Sequence, residues 1–193
     1  SHADVRLPLH LAVEAMRNSG SGTDAGHVRI FRWDGSGWVQ KGLDIDGEAA
    51  GDSSGFALDM PDSNTVAIGA PRNFGTDVES GNVRVYRWNG SAWVQKGIDI
   101  DGEAFSNNSG FAVSMPDSNT VAIGAPYNDG LFMVLSGHVR IYSWNGSAWV
   151  QKGTDIDGDN GLDFSGWSVS MPDANTVAIG SVFFGPPGML TGQ

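Results

Sequence analysis

The chain has 193 residues, a formal net charge of −11, 28 glycines and no cysteine. The charge opposes nucleic acid, whose phosphates need a basic surface, and opposes docking on anionic lipid. The absence of thiols excludes disulfide staples and thiol chemistry, and no apolar run approaches a membrane span, so no membrane insertion is expected.

The first element, Leu7–Arg17, has the spacing of a short helix, but an internal repeat overrides that reading. Trp33–Ile45 reads WDGSGWVQKGLDI, Trp88–Ile100 reads WNGSAWVQKGIDI and Trp144–Ile156 reads WNGSAWVQKGTDI, at offsets of 55 and then 56 residues. One period back from Val66–Asn73 lies Leu11–Asn18, so the first element is read as a strand, Leu11–Met16. A period of this length, built from short β-type segments, marks a propeller or another repeat array.

The second full copy shows the unit. Gly110–Met115 alternates and stops at the turn signal Pro116-Asp117. Thr120–Ala125 is a short apolar run that stops at Pro126. After a variable loop, Gly137–Trp144 is rich in β-branched and aromatic residues. Asn145-Gly146 is a two-residue hairpin signal, and Trp149–Gly153 closes the set. The strands are apolar on both faces, as a sheet packed between two neighbours requires. Gly166–Met171 and Thr176–Gly180 supply two further strands, and Ser181 onward leaves the pattern.

The fold class expected is therefore all-β, a β-propeller of four-stranded antiparallel blades. Residues 1–54 would form a partial first blade of three strands, 55–109 and 110–164 two complete blades, 165–181 a two-stranded partial blade and 182–193 a tail. About three repeats cannot close a ring alone. The chain is then a fragment of a longer protein, or a homodimer completes the ring with roughly six blades. In that closure the strand Leu11–Met16 is surplus.

The segment Ser109–Pro126, SGFAVSMPDSNTVAIGAP, resembles the FG-GAP repeat of integrin alpha subunits and related bacterial surface proteins. The matching parts are the Gly-Phe start, the alternating strand and the second strand ending Gly-Ala-Pro. Copies stand at Gly55–Pro71 and, with Gly180-Ser181-Val182 replacing Gly-Ala-Pro, at Gly166–Ser181. The resemblance implies a β-propeller, extracellular adhesion or ligand binding, and a secreted or cell-surface location. No signal peptide is legible, and Ser1-His2 has the form of a cloning remnant. The family often carries an Asp-rich calcium loop between these two strands. Here that loop is Met60–Asn64, with a single carboxylate, so the family's calcium site is not carried over to it.

Other acidic runs remain as candidates for calcium, which takes several oxygen ligands around a sharp glycine turn. They are Asp44, Asp46, Glu48 and Asp52, and Asp155, Asp157, Asp159 and Asp163. The competing reading gives these aspartates to turn amides. Arg29, Arg84 and Arg140 recur two residues before Phe31, Tyr86 and Tyr142, and read as structural arginines stacked on a ring and paired with a repeated Asp. The Trp33/Trp38, Trp88/Trp93 and Trp144/Trp149 pairs read as cross-strand locks on the hairpins. His27 and His138 are repeat equivalents, with Asn82 in the middle copy, and read as strand-edge residues.

The strands are constant while one loop varies: Arg17–Ala25, Arg72–Ser80 and Tyr127–Ser136. Specificity usually lives on such loops above a rigid scaffold. The candidate ligand-binding residues are Arg72, Asn73, Phe74, Tyr127, Asn128, Asp129 and Phe132, and the apolar run Leu131–Leu135 is a candidate partner surface. The expected function is a non-enzymatic module for adhesion or recognition of a protein or carbohydrate ligand. The alternatives are a self-assembling structural repeat and a glycan hydrolase, for which Asp59 and Glu14 are the carboxylates that differ between repeats.

Overall fold

The computed structural model describes residues 10–15, 21–129 and 134–182. Among these the chain is all-β, with no helix and sixteen strands in antiparallel sheets. The first sheet holds β1 (His10–Ala15), β2 (His27–Trp33), β3 (Trp38–Gln40) and β4 (Ile45–Asp46). The second holds β5 (Ala57–Asp62), β6 (Thr65–Ala70), β7 (Asn82–Trp88), β8 (Trp93–Gln95) and β9 (Ile100–Asp101). The third repeats it with β10 (Ala112–Asp117), β11 (Thr120–Ala125), β12 (His138–Trp144), β13 (Trp149–Gln151) and β14 (Ile156–Asp157). β15 (Ser168–Asp173) and β16 (Thr176–Gly180) form a two-stranded fourth sheet.

Sixteen strands appear where thirteen are expected because the outer strand of each repeat is broken. β13 pairs with Tyr142–Trp144 of β12, and β14 returns to pair with His138 and Val139 of the same strand. Between them the chain leaves the ladder, held by Lys152 N–H on the Ile141 carbonyl at 2.7 Å. The acidic runs thus contain a two-residue strand that their composition hides.

Two turns also differ from expectation. Asn145-Gly146 opens a four-residue loop rather than a two-residue one, because Trp144 pairs with Trp149 and Asn145 N–H donates to Ala148 C=O. The Asn145 side-chain oxygen caps the loop by accepting from Ser147 and Ala148 N–H, both at 2.9 Å. The inner strand runs through Pro116 to Asp117 rather than ending before them, and its register shifts between Ser114 and Asp117. Proline has no N–H to give a ladder, so it sits in that irregularity.

Apolar residues on both faces of each strand follow from stacking. Val66 and Ile68 of β6 pack with Val28, Ile30 and Ile45 of the first sheet. Ala67, on the opposite face, packs with Met115, Val121 and Ile123 of the third. A third cluster of Ala122, Val139 and Met171 joins the third sheet to the fourth. Successive sheets also touch along β5, β10 and β15. Backbone bridges Gly26–Ser54, Gly81–Ser109 and Gly137–Ser165 tie each repeat to the next.

A lysine fastens each outer edge to the next sheet. Lys41 Nζ lies 5.2 and 5.1 Å from the ring centres of Trp88 and Trp93, and donates to Ser63 C=O at 2.5 Å and Asn64 Oδ1 at 2.8 Å. Trp93 Nε1–H returns a bond to the Lys41 carbonyl at 2.7 Å. Lys96 repeats every contact with Trp144, Trp149, Ser118 and Asn119. The tryptophan pairs are tilted or edge-on, 5.5–5.7 Å between centres, so they are cross-strand pairs, and Trp88/Trp93 and Trp144/Trp149 are also platforms for a cation from the preceding repeat.

Candidate functional site

The recurring arginine positions create a polar cleft between successive sheets. Strand alternation turns Arg84 and Arg140 away from Val83, Val85 and Val139 and toward the preceding sheet. Arg84 donates to the Asp46 carbonyl at 2.9 Å and to Ser54 Oγ at 3.2 Å, and its guanidinium lies 3.8 Å from Glu48. It also stacks on Tyr86, 5.7 Å from the ring centre. Arg140 pairs with Glu103 of the second sheet and with Asp155 at 3.1 Å, and its NH1 lies 3.4 Å from Tyr142 OH. Gln151 Nε2 donates to Asp155 at 2.6 Å.

Around Arg140 this arrangement opens into a cleft of about 700 Å³, lined by Glu103, Asn128, Asp129, Arg140, Asp155 and Asp157. It brings a loop residue, Asp129, beside the acidic runs of two repeats. Asp129 Oδ1 accepts from Leu135 N–H at 2.8 Å, which holds the Asp129 carboxylate in place.

Glu103, His138 and Asp155 place one ligand atom each within 4.8 Å of one another. This donor set does not fit a resident cation. Arg140 already supplies positive charge to both carboxylates, and a second cation would have to displace it. His138 was expected at a strand edge; it begins β12 but is only 3 % exposed, and His27 is 6 % exposed. Burial holds the His138 pKa below its ordinary value of 6.5, against the opposing pull of Asp155 and Asp157. The unfolded chain therefore takes up a proton below about pH 6.5 that the folded chain refuses. The contribution is fully present above 6.5 and is lost as pH falls through that window. Replacing His138 by Asn, the residue at the equivalent position 82, should flatten the decline in stability between pH 7.5 and 5.5 in urea titrations. Identical slopes for the two proteins would refute the assignment.

The calcium candidates are spread out. Asp44 accepts from Gln40 Nε2 at 2.6 Å. Asp46 and Asp157 sit exposed on the short outer strands, and Asp159 is exposed. Glu48 faces Arg84, and burial is the largest influence raising its pKa. Asp52 is buried; its Oδ2 accepts from Glu48 N–H, Ala49 N–H and Asn73 Nδ2 at 2.8–3.1 Å. Asp163 caps Asn160 N–H at 2.8 Å. The structure gathers Asp155 with Glu103 and His138, and does not bring Asp157, Asp159 or Asp163 into that group.

The loop candidates divide similarly. Asn73 and Asn128 are buried, each 7 % exposed. Arg72 and Asp129 are exposed, and Phe74 is 59 % exposed. Tyr127 lies edge-on to Phe111 and Phe164 and near Trp167, so it packs at the mouth of the inner strands. Phe132 lies outside the described residues. Asp59 accepts from Met115 N–H at 2.7 Å, and Ser114 Oγ does the same for Met171, so that position links successive sheets. Glu103 was not among the candidate residues drawn from the sequence, although its acidic run stands one period from that of Glu48.

No protein-family model matches the chain, and no curated protein matches it.

Proposed function

We propose that the chain is a non-enzymatic recognition module of β-propeller type, displayed outside the cell, that binds a protein or carbohydrate ligand. Support for the propeller lies in the stack: sheets of one design follow one another, each apolar on both faces, touching along β5, β10 and β15. A row of rings, Phe56–Phe111–Trp167, runs along the start of those strands with 4.7 Å between neighbours. The resemblance of Ser109–Pro126 to the FG-GAP repeat points the same way.

The observation that carries the binding reading is the meeting of Asp129, from the variable loop, with Glu103, Arg140 and Asp157 around one cleft. A rigid lattice thus presents carboxylates and a guanidinium, and the changing loop edits their surroundings. Such a lining suits a polar ligand that is neutral or basic, held by several hydrogen bonds. The carboxylates Glu103 and Asp155 are both engaged by Arg140, which argues for holding rather than proton transfer.

A panel of neutral and amino glycans, with basic peptides alongside, tests this. Asp129→Ala with Asp157→Ala should weaken the best ligand at least about 10-fold, the loss of one or two charged hydrogen bonds. Equal retention by the wild type and the double variant would remove the cleft as the site.

A further inference from the structure

The two ends of the stack are complementary halves of the junction that recurs inside it. At the first sheet, Trp33 and Trp38 form the same pair as Trp88/Trp93 but carry no lysine, and are 39 % and 44 % exposed. Arg29 stacks on Phe31 at 5.9 Å, yet its buried Nε has no partner among the described residues. At the other end, Lys152 holds the turn acceptors Ala174 C=O and Asn175 Oδ1 as Lys41 and Lys96 hold theirs, but it has no tryptophan pair. Asp159, the equivalent of Glu48 and Glu103, is exposed and faces no arginine among the described residues. The pentapeptide TVAIG is fully buried in β6 and β11; in β16 the same five residues are half-exposed or exposed, with one edge unpaired among the described residues.

We infer that a second copy of this chain completes these halves by strand exchange: β16 of one copy displaces β1 from β2 of the other. The composite sheet then has β15 and β16 from one copy and β2, β3 and β4 from its partner. It places Lys152 over the Trp33/Trp38 pair and Asp159 beside Arg29, which are the contacts of the internal junctions.

The register explains why β1 yields. Gly69 pairs with Val83 and Gly124 with Val139, and the residue in that register on β1 is Glu14, opposite Val28. A Cβ at Gly69 would lie 2.1 Å from the Gly110 carbonyl oxygen, and at Gly124 2.1 Å from that of Gly166. That register has no room for a side chain in a complete sheet, and β16 brings Gly180 to it. The exchange removes the surplus strand from a closed ring. Two copies give four complete and two composite sheets, about six in all, within the range that closes. Only this closure at two rests on the propeller reading; the edge pairing does not.

Light scattering should give twice the chain mass of 20.3 kDa. Lys152→Glu, whose circular dichroism should match the wild type, should weaken the dimer at least about 10-fold. Because the chain has no cysteine, a placed pair is specific. Thr65 pairs with Arg87 in the second sheet, so Thr176 would face Arg32 of the other copy. A mixture of Thr176→Cys and Arg32→Cys proteins should form a disulfide heterodimer on mild oxidation. A monomer at high concentration, or a dimer without that cross-link, overturns the inference. With both cysteines in one chain, cross-linking should stop at a dimer; a ladder of longer species would uphold the pairing and overturn closure at two, and with it the propeller reading.

Discussion

Lys41→Ala should lower stability by about 3 kcal/mol, and Lys96→Ala, which removes the same contacts one repeat on, by a similar amount. The Lys41 ammonium serves four groups of the next sheet at once: two indole faces, a backbone carbonyl and an amide oxygen. Charged hydrogen bonds contribute about 1.5–3 kcal/mol each and a partly desolvated cation–π contact about 0.5–2. These share one nitrogen and do not add, which brings the sum down to roughly 3 kcal/mol. Burial of the side chain lowers the Lys41 pKa, so part of the gain offsets desolvation. For a chain of this size the change corresponds to a fall in Tm of about 6–12 °C. Lys41→Met keeps the stem against the indoles and should lose about half as much. Lys152 is an internal control, since it has the two acceptors and no tryptophan pair. At high dilution, where copies are apart, Lys152→Ala should cost less than about 1 kcal/mol. Equal losses at positions 41 and 152 would show that the indoles contribute nothing.

Much of the fold was legible because the repeat prints its own alignment. The Trp pairs, the strand Thr120–Ala125 and the β character of the first element all come from local pattern and period. What was hidden lies in contacts between repeats. Lys41 appears in the sequence as the polar end of WVQKG, and its meaning is set by Trp93, 52 residues later. Its recurrence as Lys96 and Lys152 was the available signal. The break in the outer strand was hidden for another reason. Asp155-Ile156-Asp157 has too few apolar residues to read as a strand, and its pairing depends on the free start of β12. The burial of His138 was hidden because a histidine opening a strand says nothing about the sheet stacked above it. At the candidate cleft, Asp129 and Asp155 could be found from loop variation and charge. Glu103 required knowing which sheet precedes which.

Gly69→Ala should be severely damaging, with a loss of at least about 3 kcal/mol or failure to accumulate as soluble protein. A glycine inside a strand usually reads as a weak point with no side chain to pack. Here the reason is separation: the added methyl would meet Gly110 O at 2.1 Å, its carbonyl carbon at 3.0 Å and its Cα at 3.2 Å. All three are backbone, so relief requires moving one sheet away from the next. That would open the cluster of Val83, Val85, Met115 and Val121 between them. Gly37→Ala, where nothing lies within 4 Å of the new methyl, separates this effect from the general loss of glycine. It should change stability by less than about 0.5 kcal/mol. Thermal unfolding of the two variants side by side decides the matter. A loss below about 1 kcal/mol at Gly69 would mean that the sheets separate easily. The register at Glu14 would then tolerate a side chain in a complete sheet, and the reason for β1 to leave β2 would go with it.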